Sequence, residues 1–423
     1  MIKDIVKKYI PSFVYSWYHF LVALIAATVY QYPSRKLKVI GVTGTNGKST
    51  VVMMVSKILE EAGYRVSYFS SIESRVDNNL TVNRLRMTMP GPFILQRFLR
   101  DAVNARTDYA IVEVTSEGIK MHRHRFINFK TAVLTNLSPE HIESHGSYGK
   151  YRQAKLKLFK IAKRHIINID DNDFTHFWAV KASEKIGYSL YKSSRQLKII
   201  KADNPKEENG SLFFTVNGHE FKMGLIGLFN IYNALAAIAV GLSEGVDVAT
   251  CQIALSKVQG IPGRMEEVIS SPFKVIVDYA FTPNALSKVY ENIKPKNNRL
   301  ICVLGACGGG RDKWKRPVLG EIASRYCDQV IVTNEDPYDE NPEEIINQVI
   351  KGTAGKGEKI VDRRKAISSA LRSAKKGDVV IITGKGCEPS ICLANNEKIS
   401  WDDRQIVKEE YSKIVKTDAK ITN

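Results

Sequence analysis

Two periods of apolar and polar positions alternate along most of this chain, and the switches between them mark its elements. Short apolar runs end in glycine-rich or polar loops at KVIGV, YAIVEV and TAVLTN in the first half. Similar runs recur after residue 260, at KVIVDYA, LICVLGA, QVIVTN and DVVIITG. Continuous runs of this length predict strands buried on both faces, as in parallel sheets. Between them lie helical stretches. From Val51 to Ala62 the apolar positions 51, 52, 55, 58, 59 and 62 share one face, and Gly63 supplies the stop. Strands alternating with helices predict an α/β chain with ligands at the carboxyl ends of the strands. Residues 203–218, DNPKEENGSLFFTVNG, read instead as an antiparallel hairpin.

The first segment breaks the pattern. From Tyr9 to Ser34 there is no Asp, Glu, Lys or Arg, and the centre reads FLVALIAATV. Lys7 and Lys8 precede it, Arg35 and Lys36 follow, and aromatic residues sit toward both ends. Its strongly apolar core, Phe20 to Val29, is short for a spanning helix. Three placements stay open: a helix packed on the protein, one lying in a membrane interface, and a true span. A signal peptide is not expected, because a nucleotide-binding motif that needs cytosolic ATP follows at once. The predicted location is cytoplasmic, with membrane-surface contact through residues 9–34 left open.

A chain of 423 residues predicts two or three domains. The turn-rich QGIPGR around Gly260 reads as a boundary. It divides the chain into an apolar helical segment at 1–36, a central domain at 37–259 and a C-terminal domain at 260–423. A net charge of +18 fits an anionic partner, or simply a basic proteome. The basic residues are scattered, with no tail and no interleaved aromatic platform, so no nucleic-acid partner is expected. Six cysteines without CxxC spacing fit reduced thiols rather than a disulfide frame or zinc ribbon.

The strongest motif is GVTGTNGKST, Gly41–Thr50, entered by an apolar strand and left by an amphipathic helix. In that context backbone N–H groups of Gly44, Thr45, Asn46 and Gly47 and the helix start at Lys48, Ser49 and Thr50 can face phosphate oxygens. Lys48 would reach the outer phosphates, and the Ser49 hydroxyl can ligate Mg²⁺. The spacing departs from the common GxxxxGK[ST] rule, since Val42 stands where its first Gly is expected.

TGTNGKST resembles the form this loop takes in the Mur ligases and their folylpolyglutamate and cyanophycin synthetase relatives. Further segments follow in the order of a MurE-like tripeptide synthetase: EVTSEG (113–118), NLSPEHIESHG (136–146), AKLKLF (154–159), GLFNIYNALAA (227–237) and IPGRME (261–266). VDYAFTPNAL (277–286), GGGRDKWKRP (308–317), EDPYDENP (335–342), DRRKAI (362–367) and TGKGCE (383–388) complete the series. The resemblance implies a P-loop ATPase domain with a parallel sheet, followed by a Rossmann-like α/β domain. It implies a ligase that phosphorylates a carboxylate with ATP and Mg²⁺, then lets an amine displace the phosphate to form an amide. Lys48, Glu113, His141 and Lys155 would be catalytic, with Ser49, Glu113, His141 and a carbamylated Lys155 as metal ligands. Asn233, Arg264, Asp278 and Tyr279 would surround the nucleotide. The acceptor and the incoming amino acid would meet Thr88, Thr115, Ser116, Asp312, Arg316, Asp336, Tyr338, Arg363 and Glu388. The partners implied are a small-molecule or lipid-linked peptide and an amino acid.

Five departures bear on function. Only about 36 residues precede the ATPase pattern, so the family's UDP-binding domain is expected to be missing. Glu117, Phe281 and Cys387 stand where the relatives carry His. Tyr338 replaces the Arg of DNPR, and a phenol cannot copy the Arg–carboxylate fork that would clamp diaminopimelate. The acidic cluster Glu335, Asp336, Asp339 and Glu340 suits a basic amine such as lysine, or is a solvated loop. Two alternatives therefore accompany the peptidoglycan-precursor ligase: a ligase for a lipid-linked or non-murein acid, and a catalytically degraded nucleotide-binding scaffold.

Overall fold

The computed structural model describes residues 11–85 and 87–421, for 12 and 417–421 by backbone alone. A nine-stranded sheet is built from β1 (Lys38–Thr43), β2 (Val66–Phe69), β3 (Glu73–Val76), β4 (Asn79–Val82), β5 (Tyr109–Glu113), β6 (Phe129–Leu134), β7 (Arg164–Asn168), β8 (Glu184–Ser189) and β9 (Ile199–Lys201). Its order is β4-β3-β2-β5-β1-β6-β7-β8-β9. All neighbours from β2 to β9 run parallel, and β3 and β4 form an antiparallel edge. The apolar runs were continuous because both faces are covered. Helices Lys48–Glu61 and Phe229–Ser243 share a core with one face. Helices Pro92–Asn104 and Tyr148–Phe159 share the core on the other.

The hairpin read at 203–218 is present and gains a third strand: β10 (Asp203–Glu208), β11 (Ser211–Val216) and β12 (His219–Met223) form a small antiparallel sheet. In β11 the alternation is strict, with Leu212, Phe214 and Val216 buried. A six-stranded sheet follows, from β13 (Glu266–Ile269), β14 (Lys274–Asp278), β15 (Leu300–Leu304), β16 (Gln329–Val332), β17 (Gly357–Lys359) and β18 (Val379–Thr383). Its order is β13-β14-β18-β15-β16-β17, parallel except for β13. Helices cover both faces. This is the expected α/β class, with two mainly parallel sheets whose carboxyl ends carry the loops discussed below.

The apolar segment packs on the protein, against helix Pro92–Asn104, and residues 9 and 10 lie outside the described part. Helix Ser12–Val29 buries only the small side chains Ala23, Ala26 and Ala27 among its fully enclosed positions. Arg100 donates to the Tyr30 carbonyl at 3.0 Å through Nε and 2.6 Å through Nη2, tying down the helix end. Among the described residues no helix is long and apolar enough to cross a membrane.

One ion pair locks the last helix, Asp403–Ile421, to the second sheet. Arg363 donates to Asp403 through Nε (2.9 Å) and Nη2 (2.6 Å), and both side chains are almost fully enclosed. Arg363 also donates to the Thr383 carbonyl at 2.9 Å. Removing one partner strands a buried charge, which costs about 3–5 kcal/mol. Asp403→Ala is therefore expected to destabilise the protein by about that amount in urea unfolding, while a surface control such as Lys398→Ala stays within about 0.5 kcal/mol.

Candidate active site

A cavity of about 620 Å³ opens between the carboxyl ends of the two large sheets. The loops after β1, β5, β6 and β7 wall one side, and the loops after β14, β16 and β18 wall the other.

The phosphate-type loop sits where the sequence put it. Gly47 has φ +83°, and a Cβ there would lie 2.3 Å from Asn233 Oδ1. Gly44 has φ +149°, and a Cβ would meet Thr135 Oγ1 at 1.9 Å. Both glycines are therefore required by backbone shape and by lack of room. Asn46 N–H donates to Asn136 Oδ1 at 3.0 Å, holding the loop open toward the cavity. Lys48 folds back over the loop, its Nζ donating to the carbonyls of Thr45 (2.9 Å) and Gly44 (3.1 Å).

A second lysine converges on the same point. Lys155 is 2% exposed and donates to the Gly44 carbonyl at 2.8 Å. Burial lowers the pKa of both ammonium groups, and the charge of Lys48 pushes Lys155 further down. A neutral amine is the form that adds CO₂, so the carbamate implied by the resemblance is chemically accessible at Lys155. Glu113 ends β5 and accepts the Ser71 N–H at 2.7 Å. The Ser71 hydroxyl touches Ser49 Oγ at 2.8 Å and accepts from Arg264 Nη2 at 3.3 Å. His141 is held neutral, its pKa brought down to about 3 by burial and by the charges of Arg311 and Lys155.

These groups suit Mg²⁺. Glu140 lines the cavity at 3% exposure, and its Oε2 has no hydrogen-bond partner among the described residues. It shares that lining with the Ser49 hydroxyl, the Glu113 carboxylate and the neutral His141 imidazole, donors of the kind a hard cation takes. Glu140 was missed as a site residue, although it adjoins His141 in NLSPEH. Its other oxygen accepts from Lys315 Nζ at 2.8 Å, a buried pair that joins the two walls.

On the opposite wall Asp278 accepts the N–H groups of Met265 and Ala280, both at 2.7 Å, which fixes the turns carrying Arg264 and Tyr279. The Arg264 guanidinium lies 4.3 Å from the centre of the Tyr279 ring. Tyr279 donates to Glu388 Oε1 at 2.8 Å. Lys385 pairs with Asp336 (2.9 Å) and Glu388 (2.6 Å) behind it. Glu335 accepts the Cys307 thiol at 2.8 Å through Oε1, while Oε2 is buried without a partner among the described residues. Burial raises its pKa. Gly384 makes the space for it, since a Cβ there would meet Glu335 Oε2 at 2.4 Å. The sequence pointed to this acidic cluster without separating the buried Glu335 from the exposed Asp339.

The cavity wall includes Thr50, Thr88, Thr115, Ser116, Asp336, Tyr338 and Glu388. Three other residues expected at the substrates lie behind it. Asp312 accepts the Ile142 and Glu143 N–H groups at 3.2 and 3.0 Å, capping a short helix across the domain junction. Arg316 binds Glu340 and the Cys307 carbonyl, both at 3.0 Å. Arg363 is engaged by Asp403. One of the three positions where relatives carry His has a local explanation. Glu117 accepts from Ser144 at 2.7 Å and lies 3.0 Å from His145 Nε2. Burial pushes its pKa up, but these two partners outweigh it and bring it to about 2.

Fold and site together define a nucleotide-dependent enzyme of the P-loop type, whose second α/β unit closes a shared cleft. A model of the Mur ligase middle domain matches residues 42–241, and one of the Mur ligase glutamate ligase domain matches 263–386. The chain belongs to the Mur ligase family and is an ATP-dependent carbon–nitrogen ligase. It is 39% identical over 403 residues to a UDP-N-acetylmuramoyl-L-alanyl-D-glutamate--2,6-diaminopimelate ligase of Syntrophomonas wolfei subsp. wolfei, covering 92% of this chain and 81% of that one. A UDP-N-acetylmuramyl-tripeptide synthetase of Roseiflexus sp. is 33% identical, covering 90% and 80%. A solved 2,6-diaminopimelate ligase structure matches at 28% identity with a TM-score of 0.59, covering 89% of this chain and 78% of that one. Mycobacterium tuberculosis folylpolyglutamate synthase shares the fold, with a TM-score of 0.70, 17% identity and coverage of 86% and 92%.

Two outcomes follow from this geometry. Gly47→Ala should weaken ATP binding at least tenfold by titration calorimetry, because it both strains the loop and displaces Asn233. His141 and the buried His124 have folded pKa values near 3 against 6.5 in the unfolded chain. The unfolded chain thus binds more protons between those values, and stability should fall as pH drops from about 6.5 toward 3. Thermal melts of His124→Gln should show a shallower acid limb than the native protein.

Proposed function

We propose that this ligase extends a peptidoglycan-precursor peptide with a diamino acid whose distal group is a cation, lysine being the simplest case. The carrying observation is Glu335: a buried carboxylate facing the cavity, with one oxygen unpaired and an uncharged Tyr338 beside it in place of a guanidinium. An ammonium group would be attracted to that carboxylate, whereas a second carboxylate would meet repulsion from Glu335, Asp336 and Glu388. The comparisons support the murein-type acceptor, because the Syntrophomonas wolfei and Roseiflexus relatives carry that substrate class in their names. The reading extends to a lipid-linked form of the acceptor and to a cytoplasmic enzyme that can associate with a membrane.

The chemistry follows from the residues. ATP phosphates lie along Gly44–Thr50, with Lys48 balancing the γ-phosphoryl charge. The acceptor carboxylate enters past Thr88, Thr115 and Ser116 and attacks the γ-phosphorus, giving an acyl phosphate and ADP. The amine then attacks the acyl carbon, loses a proton and expels inorganic phosphate, leaving an amide. Glu388 and Asp336 lie on the amine side and hold that group close to the acyl carbon. Mg²⁺, held by Ser49, Glu113, His141 and the Lys155 carbamate, would neutralise charge on the transferring phosphoryl group.

Phosphate release from ATP, measured over a matrix of acceptors and amines, tests the reading. Release should require a muramoyl-dipeptide acceptor together with lysine or ornithine, and should be weaker with diaminopimelate. Release with diaminopimelate alone would overturn the amine assignment. Glu335→Gln should raise the KM for the diamino acid at least tenfold and leave the KM for ATP unchanged. Lys155→Ala should lower kcat by about 100-fold or more, with partial recovery on adding short carboxylic acids that restore the lost anion.

A further inference from the structure

Helix Ser12–Val29 is arranged inside out. Its enclosed positions are the small residues Ala23, Ala26 and Ala27, while Phe13, Trp17, Tyr18, Leu21, Ile25 and Val29 are 46–65% exposed. At 100° per residue, those large side chains and Val14 fall on one arc of about 160°. Thr28 alone interrupts it with a polar group, and its hydroxyl turns back to the Leu24 carbonyl at 3.0 Å. A helix face exposed to water normally carries charge, and a large apolar stripe normally faces a core. Here neither holds.

The surroundings indicate what covers the stripe. The sequence holds no Asp or Glu from residue 5 to residue 59, while Lys7, Lys8, Arg35 and Lys36 bracket the helix. Arg35 and Lys36 are exposed. Arg97, on the helix packed against this one, has 73% of its side chain in solvent. Trp17 and Tyr18 on the exposed arc add amphipathic aromatic side chains, which favour a headgroup layer. Asp101 lies 3.8 Å from Arg97 and is the acidic residue beside this margin, so Arg35 and Lys36 give it its basic excess, which a second protein copy would not need. A bilayer with anionic headgroups matches both the apolar arc and its rim. The helix lacks the length and apolarity to cross, so it would lie in the plane of the surface.

Its position relative to the cleft adds a consequence. Ser16 Oγ is 2.8 Å from His122 Nε2, and the Phe20 ring packs on His122 and Phe126 at 5.9 and 5.3 Å. The same 116–127 segment sends Met121 and Arg123 into the cavity wall, next to Thr88 and Thr115. We infer that the outward face of helix Ser12–Val29 docks on an anionic lipid bilayer, and that this holds the acceptor end of the cleft at the membrane surface. The docking stands on the helix alone, whereas the delivery of acceptor from the membrane rests on the ligase reading given above.

The test uses the full chain, vesicles of phosphatidylglycerol and phosphatidylcholine, and the double variant Leu21→Glu/Ile25→Glu. Both substitutions point into solvent, so the melting temperature and ATP binding serve as folding controls. The native chain should float with vesicles containing phosphatidylglycerol, and the variant should lose at least tenfold in bound fraction. Failure of the native chain to float overturns the inference, as does a variant that floats equally well. A native dimer in sedimentation velocity that the variant splits, without flotation, would overturn it in favour of a second copy. Turnover is then compared on a soluble and a bilayer-embedded acceptor. The variant should lose at least fivefold on the embedded acceptor alone; equal loss on both overturns the orientation. If the native chain floats yet turns over neither acceptor, the docking stands and the ligase reading fails.

Discussion

Two lysine ammonium groups share one backbone acceptor, the Gly44 carbonyl, with Lys155 at 2.8 Å and Lys48 at 3.1 Å. The rest of the site is organised around that contact. Placing two cations on one oxygen in a desolvated pocket is unfavourable unless an anion joins them or one loses its proton. Under the proposed function, ATP phosphates would supply the first remedy and N-carboxylation of Lys155 the second. The contact also explains why Gly44 is glycine: its carbonyl is aimed by a φ of +149° that a side chain would strain, in a space already filled by Thr135. The strand β1, the loop and the helix Lys48–Glu61 thus specify a charge problem whose solution is the substrate.

The same principle links the two halves of the cleft. Lys315 reaches from the second α/β unit to buried Glu140, Asp312 caps the helix that follows His141, and Arg264 touches Ser71 beside Ser49. Each contact crosses between the walls, and each ends on a residue adjoining the candidate metal or phosphate groups. The geometry of the phosphate site is therefore coupled to the position of the domain that carries Glu335 and Glu388. A nucleotide bound to the first wall alone would meet only part of its electrostatic surroundings.

What could be read from the sequence divides along physical lines. Strands and helices with one dominant period were legible, because buried parallel strands leave continuous apolar runs and the phosphate loop leaves a glycine pattern. Lys48 was legible for the same reason, whereas Glu113 and Lys155 were reached only through the family resemblance. Pairings between distant segments were not. Arg363 and Arg316 resembled ligand-binding residues, yet the structure pairs them with Asp403 and Glu340, partners 40 and 24 residues away. Glu140 and Glu335 differ from solvated acids only in burial, which spacing does not encode. The inside-out helix was seen as apolar, but which face would be turned to solvent depends on small residues meeting helix Pro92–Asn104.

The altered residues at the cleft argue against a degraded scaffold. Glu117 meets the imidazole of His145, and the Phe281 ring sits 5.0 Å from the Lys315 ammonium. The cleft thus keeps an imidazole and a cation near two of the three positions, supplied by other residues. More telling is the cost of what is retained. Lys48, Lys155, Glu113, Glu140 and Glu335 are desolvated around a hollow, and each buried ion costs several kcal/mol unless fully paired. A protein that only held its shape would be more stable with apolar groups in those places. One oxygen of Glu140 and one of Glu335 lack a partner among the described residues, and the two lie on opposite walls of the cavity. Acceptors left uncompensated on both walls suit a cleft that binds ligands, whereas a scaffold gains nothing from them.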